Sequence, residues 1–139
     1  MLRFLPLCTI DGVIATPKLV DRGAGLVQEN YPVDVTVVGE RLNGKMQGES
    51  YYDWMSVPGG IGTLRVLAVI ETDDGASISV RYESRSDITN GIDNLFGYAA
   101  PVFTTTHPEY SWLNLVQAVG RGTIHGDRVH WDWFQLARE

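Results

Sequence analysis

The sequence is poor in the residues that carry metal and redox chemistry. Among its 139 residues there is one cysteine, Cys8, and there are three histidines. A single cysteine excludes an intramolecular disulfide and any zinc site built on cysteine ligands. Cys8 stands among Leu5, Leu7 and Ile10, where a thiol reads as a small buried hydrophobe. Basic residues are also scarce, 11 Lys and Arg against 17 Asp and Glu, for a net charge of −6. No concentrated basic face is available to a phosphate backbone, and the sign is wrong for an anionic membrane surface, so neither nucleic acid nor membrane is an expected partner. No apolar run reaches transmembrane length. The opening MLRFLPLCTI is broken by Pro6 and followed at once by Asp11, unlike a signal peptide, and a cytoplasmic location is the expectation.

Two catalytic signatures are missing as well. The run Pro58-Gly59-Gly60-Ile61-Gly62-Thr63 lacks the Lys-Ser/Thr of a phosphate loop, and the following LRVLAVIE reads as a strand where a nucleotide cradle needs a helix N-terminus. There is no G-x-S-x-G nucleophile elbow.

What the sequence has is turns between extended runs. Asn43-Gly44, Asp74-Gly75, Asn90-Gly91 and Gly126-Asp127 read as hairpin connections. The segment 76–84 alternates Ile78, Val80 and Tyr82 against Ser77, Ser79, Arg81 and Glu83, the period of a half-exposed strand. Further strands are expected over 2–9, 33–42, 45–55, 64–72, 97–105, 113–124 and 128–137. The expected fold is therefore all-β, a single antiparallel β-barrel of about eight to nine strands in one domain. One short helical turn is expected over 108–112, with Pro108 at an early position and Thr106 or His107 as cap. The segments 21–32 and 86–96 are polar but carry apolar residues, so they either cover a barrel mouth or pack on its end.

Three segments together resemble a known family: TDDGASISVR (Thr72–Arg81), YDW (Tyr52–Trp54) and APVFTTTHPEYSWLN (Ala100–Asn114). They are similar to DUF3237, the UPF0311-like small β-barrel domains of unknown function, over roughly residues 33–137. In this chain Tyr52 stands where the family has a small residue, Pro58-Gly59-Gly60 follows the Asp-Trp instead of preceding it, and His107-Pro108-Glu109 replaces a simpler turn. The resemblance implies a compact β-barrel and lends no activity.

Asp53 lies in YYDWMS among Tyr51, Tyr52, Trp54 and Met55. A carboxylate in aromatic surroundings loses hydration, which raises its pKa toward that of a proton shuttle; the alternative is a strand-end anchor. Glu83 and Arg81 share one face of their strand. If that face points inward, Arg81 can hold an anionic or carbonyl oxygen while Glu83 moves a proton; if outward, the pair is a solvated ladder. Trp112 and Asn114 offer a flat wall and an orienting amide, or else core packing and a loop anchor. Trp131 and Trp133 are expected inside the barrel, with Tyr51, Trp54, Tyr98, Trp112 and Trp133 lining a cavity. His125 and His130 with Asp127 or Asp132 make a facial metal triad conceivable, but without ligand spacing no metal is expected. His107 is open to use as a base or as a helix cap. With four Trp and six Tyr, the ligand expected is small and apolar, of aromatic, terpenoid or polyketide type. The leading expectation is a cofactor-independent isomerase, cyclase or lyase using Asp53 and Glu83. The rivals are a non-catalytic carrier or sensor and an interaction subunit forming a homodimer.

Overall fold

In a computed structural model of the chain, the backbone is described for residues 1–16, 18–21, 26–48 and 50–138, with side chains for all of these except 19–21, 26–28 and 51–54. The described residues form twelve strands and one 3-10 helix: β1 (Leu2–Ile14), β2 (Lys18–Asp21), β3 (Leu26–Asn30), β4 (Pro32–Val38), β5 (Gly44–Met46), β6 (Tyr51–Val57), β7 (Ile61–Thr72), β8 (Ser77–Asp87), β9 (Asn94–Ala99), β10 (Val102–Thr104), the helix (Pro108–Leu115), β11 (Ala118–His125) and β12 (Arg128–Arg138). Eight strands close an antiparallel ring in the order β7-β8-β9-β11-β12-β1-β4-β5, with β5 pairing back to β7. The barrel expectation holds.

Two strands of the ring each serve two neighbours on one edge. β7 pairs with β5 over Ile70–Thr72, closing the ring, and with β6 over Ile61–Leu67, from which β3 and β2 continue the sheet outward. β8 pairs with β9 over Ser84–Asp87 and with β10 over Ser79–Arg81. The break on β8 falls at Tyr82–Glu83, opposite the bend Ala100-Pro101. Proline has no N–H to give a ladder, so the single strand expected over 97–105 divides there into β9 and β10. The single strand expected over 45–55 likewise falls into two, β5 ending at Met46 and β6 beginning at Tyr51.

Alternation decides what lies inside. Along β8, Ile78, Val80, Tyr82, Ser84 and Ser86 are buried, and Ser77, Ser79, Arg81, Glu83, Arg85 and Asp87 face solvent. The interior carries a chain of edge-to-face aromatic pairs: Tyr82 meets Trp131 at 5.7 Å and Trp133 at 5.4 Å, and Phe103 meets Trp133 at 5.9 Å. Such pairs contribute roughly 0.5–1.5 kcal/mol each beyond the area they bury. Room for the indoles comes from β11, where Gly120 and Gly122 stand directly opposite Trp133 and Trp131. A methyl group on either glycine would overlap the facing ring.

The turns follow the sequence with two exceptions. Gly126-Asp127 is a two-residue hairpin loop and the Pro58-Gly59-Gly60 run is the β6–β7 turn, both of its glycines at positive φ. Asn43-Gly44 is not a hairpin turn. Gly44 belongs to β5 and lies too close to the Glu71 carbonyl for a side chain, and the Asn43 amide oxygen accepts from the Gly39 N–H. The segment 21–32 is also more ordered than a loop, since β3 falls inside it; residues 22–25 lie outside the described residues. Ile88 and Ile92, between β8 and β9, pack on the core as a barrel-end plug. No helix among the described residues is long and apolar enough to cross a membrane.

Gly122→Ala is expected to destabilise the fold by about 1–3 kcal/mol through overpacking against Trp131. Urea denaturation checks this, as a lower midpoint at an unchanged slope.

Candidate functional site

The residues shared with the family signature assemble into a structural clamp. Asp74, in the β7–β8 turn, accepts hydrogen bonds from the Thr72 hydroxyl at 2.5 Å and from the Tyr110 hydroxyl at 2.9 and 3.0 Å. These bonds, the Thr72 one foremost, hold the Asp74 carboxyl below its ordinary pKa, while burial and then its bond to Asp74 raise that of Tyr110. The Asn114 amide accepts from the Thr105 N–H at 2.9 Å and donates to its carbonyl at 3.0 Å. Thr105 in turn receives the His107 N–H on its hydroxyl and donates to the Ser77 carbonyl. The 3-10 helix, running to Leu115 where a single turn to Trp112 was expected, is thereby tied to the β7–β8 hairpin. His107 occupies the N-cap position without a side-chain cap bond, so neither it nor Thr106 caps the helix as expected.

This corrects part of the cavity expectation. Asn114 is a loop anchor, its amide spent on Thr105. Trp112 is half-buried on the core edge, with the Arg41 guanidinium stacked 3.7 Å above its ring. Trp133 is 1 % exposed and packs in the interior against Tyr82 and Phe103. Arg81 and Glu83 face outward, because the buried set on β8 is the even-numbered one. Asp53 stands in β6 opposite Arg65 on one side and Glu29 on the other, and Tyr51 opposite Leu67 and Trp54 opposite Leu64; the side chains of Tyr51, Asp53 and Trp54 lie outside the described residues. Cys8 is buried, which pushes its thiol up to about 12 and leaves it unreactive.

On the outer wall Glu83 nonetheless shares one groove with Arg81 and the next with Tyr98. Glu83 borders two adjoining grooves. One, of about 460 Å³, is lined by Arg65, Leu67, Arg81, Glu83, Ala100 and Val102 among others. The second, of about 750 Å³, is walled by Phe4, Tyr98 and Phe134, floored by Ala99, Ala100 and Gly120, and edged by Glu83, Arg85 and Arg121. The grooves exist because β9 and β10 separate at Ala100-Pro101. Phe4 and Tyr98 are 64 % and 62 % exposed, a large apolar area for a barrel wall. Glu83, Arg81 and Arg85 make no ion pair or hydrogen bond among the described residues, while Arg121 has one long contact, 3.7 Å from its Nε to Asp132.

Sequence reasoning missed Phe4, Arg85, Arg121 and Phe134. The usable signal was an apolar side chain at an outward position: Phe134 alternates with the inward Trp131 and Trp133 and so shares its face with His130 and Asp132. Beside the groove, the His130 ring bonds Asp11 through Nδ1 and Asp132 through Nε2, at 2.5 and 3.1 Å. The Asp11 bond, ahead of the other contributions, raises the His130 pKa. His125 turns instead to Asn94, and among the described residues no cluster of three His, Cys, Asp or Glu could hold a metal ion.

Comparison with known proteins extends the likeness over the whole chain. The family model described as "Protein of unknown function (DUF3237)" matches residues 3–136. A β-barrel-like protein from Acinetobacter baumannii AYE shares the fold at a TM-score of 0.88 and 22% identity, over 99% of this chain and 97% of that one. A conserved protein of unknown function from Rhodopseudomonas palustris does so at 0.86 and 24%, over 99% of each. A structure described as an enzyme from Penicillium herquei aligns at 0.69 and 20%, over 97% and 93%. No curated protein matches.

Tyr110→Phe is expected to lower the thermal midpoint by a few degrees near neutral pH and to reduce its acid sensitivity. The folded Asp74 pKa is depressed, so its contribution is present above the ordinary carboxylate pKa and is lost as pH falls through the folded value. His130 behaves oppositely. Its raised pKa gives a contribution complete below about pH 6.5 that fades as pH rises through the folded value. Denaturation midpoints between about pH 6 and 9 should therefore decline in the wild type and flatten in His130→Gln, with the slope taken relative to His125→Gln.

Proposed function

The chain belongs to the DUF3237 family of proteins of unknown function, and on that premise we propose that it is a small-molecule enzyme that moves a proton with Glu83 in the outer-wall groove. The observation that carries this reading is the placement of Glu83, which has no side-chain partner among the described residues, where two adjoining grooves meet, one edged by Arg81 and the other combining an aromatic lining with Arg85 and Arg121. Apolar walls with a few convergent polar groups are the usual make-up of a small-molecule site. The reaction class is isomerisation, cyclisation or elimination on a small, largely apolar molecule. Glu83 takes a proton from carbon or hydroxyl, Arg81 or Arg85 stabilises the oxygen on which charge develops, and Tyr98, Phe4 and Phe134 hold the carbon skeleton. Chemistry of this kind needs positioning and fixed charge, not a cofactor. One fold relative, from Penicillium herquei, is itself described as an enzyme. Asp53 stays a second acid/base candidate.

A carrier is the alternative reading. Its support is that the groove is open and Glu83 is exposed, which suits capture and release.

The two readings separate in heavy water. A set of enolisable cyclic ketones and hydroxyaromatics is incubated with the protein in D2O, and carbon-bound deuterium is followed by NMR. Exchange that Glu83→Gln lowers by about 10²–10⁴-fold, at unchanged binding, is the expected result. Binding without exchange in the wild type assigns the carrier. Equal exchange in Glu83→Gln and wild type, with loss in Asp53→Asn, moves the proton transfer to β6.

A further inference from the structure

We infer that the groove takes an organic anion with a flat, conjugated body, its charge held between Arg85 and Arg121 on either side of Tyr98. This rests on reading the groove as a small-molecule site, and it names the substrate class.

Strand register carries the inference. Tyr98 on β9 stands directly opposite Arg85 on β8 and directly opposite Arg121 on β11. All three face outward, so the two arginines sit two strand spacings apart, about 10 Å between backbones, with one phenol ring between them. Side chains of that length can meet over the ring from both sides. A guanidinium pairs a carboxylate or enolate oxygen through parallel N–H donors, which is the strongest polar contact such an open site can offer.

Charge balance points the same way. The protein as a whole carries −6. Among the described residues that line the two grooves, Arg81, Arg85 and Arg121 stand beside a single carboxylate, Glu83, and Arg121 has one long contact to Asp132 at 3.7 Å. A local excess of positive charge on an acidic protein draws a small anion to one place and repels it elsewhere. The conjugated body follows from the rest of the lining: Phe4, Tyr98 and Phe134 present ring faces or edges, and the small floor residues Ala99, Ala100 and Gly120 let a flat molecule lie close to the backbone.

The test titrates the protein with three probes, 2-naphthoate, the neutral 2-naphthamide and acetate, following the amide resonances of Gly97, Tyr98 and Gly120 by NMR at low and high salt. Naphthoate is expected to bind at least about tenfold more tightly than naphthamide, and acetate only feebly. The advantage of naphthoate should shrink in high salt and vanish in the double variant Arg85→Gln/Arg121→Gln, which keeps its thermal midpoint and its affinity for naphthamide. Equal binding of naphthoate and naphthamide in the groove, unaffected by the double variant, overturns the anion clamp and leaves the groove a small-molecule site. Acetate binding as tightly as naphthoate overturns the conjugated body. Groove resonances that ignore all three probes overturn both the clamp and the site. A sedimenting dimer that Phe134→Ser dissociates would then assign this wall to a second copy of the chain.

Discussion

Trp131 and Trp133 enter the barrel from β12 and lie over glycines of β11, and much else in the molecule is arranged around them. Tyr82 and Phe103 pack edge-to-face against these two indoles inside the eight-stranded ring. Replacing either facing glycine with any other residue would drive a Cβ into a ring. The size of the ring sets this outcome, since eight strands give an interior just wide enough for side chains to fill it or for one small ligand. Where tryptophans fill it, chemistry on the described residues moves to the outer wall or to the ends.

The family signature reads differently once its contacts are known. Of Thr72, Asp74, Tyr110 and Asn114, only Asn114 reads from the sequence as a site residue. In space each is committed: Asp74 to the hydroxyls of Thr72 and Tyr110, Asn114 to both backbone groups of Thr105. A short 3-10 helix has few hydrogen bonds of its own and weak geometry, so it needs fastening from outside. The motif is thus the means by which the segment after β10 is locked onto the β7–β8 hairpin. The join requires polar residues at these positions.

How much was legible depended on whether the deciding physics was local. The β7–β8 hairpin, the alternation along β8 and the Gly126-Asp127 turn are determined within a dozen residues, and they read correctly. The division at Ala100-Pro101 was also local, since a proline within an expected strand is a warning. What stayed open needed knowledge of distant neighbours. Alternation puts Arg81 and Glu83 on one face without saying whether that face is lumen or wall; only the burial of Ile78, Val80 and Tyr82 decides it. Asn114 reads as an orienting amide until Thr105 is found opposite. Phe4 and Phe134 come within reach of Tyr98 only through the β1–β12 and β9–β11–β12 pairings, which span the chain from end to end.

The outward face of β8 is where the wall departs from an ordinary solvated ladder. In such a ladder, charges of opposite sign face each other across strands and neutralise locally. Here Arg81 stands opposite Leu67 and Val102, and Arg85 opposite Thr63 and Tyr98. Among these outward residues, Glu83 alone stands opposite a charge of the other sign, Arg65. Guanidinium groups placed against apolar and aromatic neighbours gain little from the fold, since their charge remains hydrated and unpaired. Exposed aromatic side chains beside them add no stability to the isolated chain either. Neither feature is accounted for by the fold itself, and both stand at one break in the sheet, where the proposed anion would meet them.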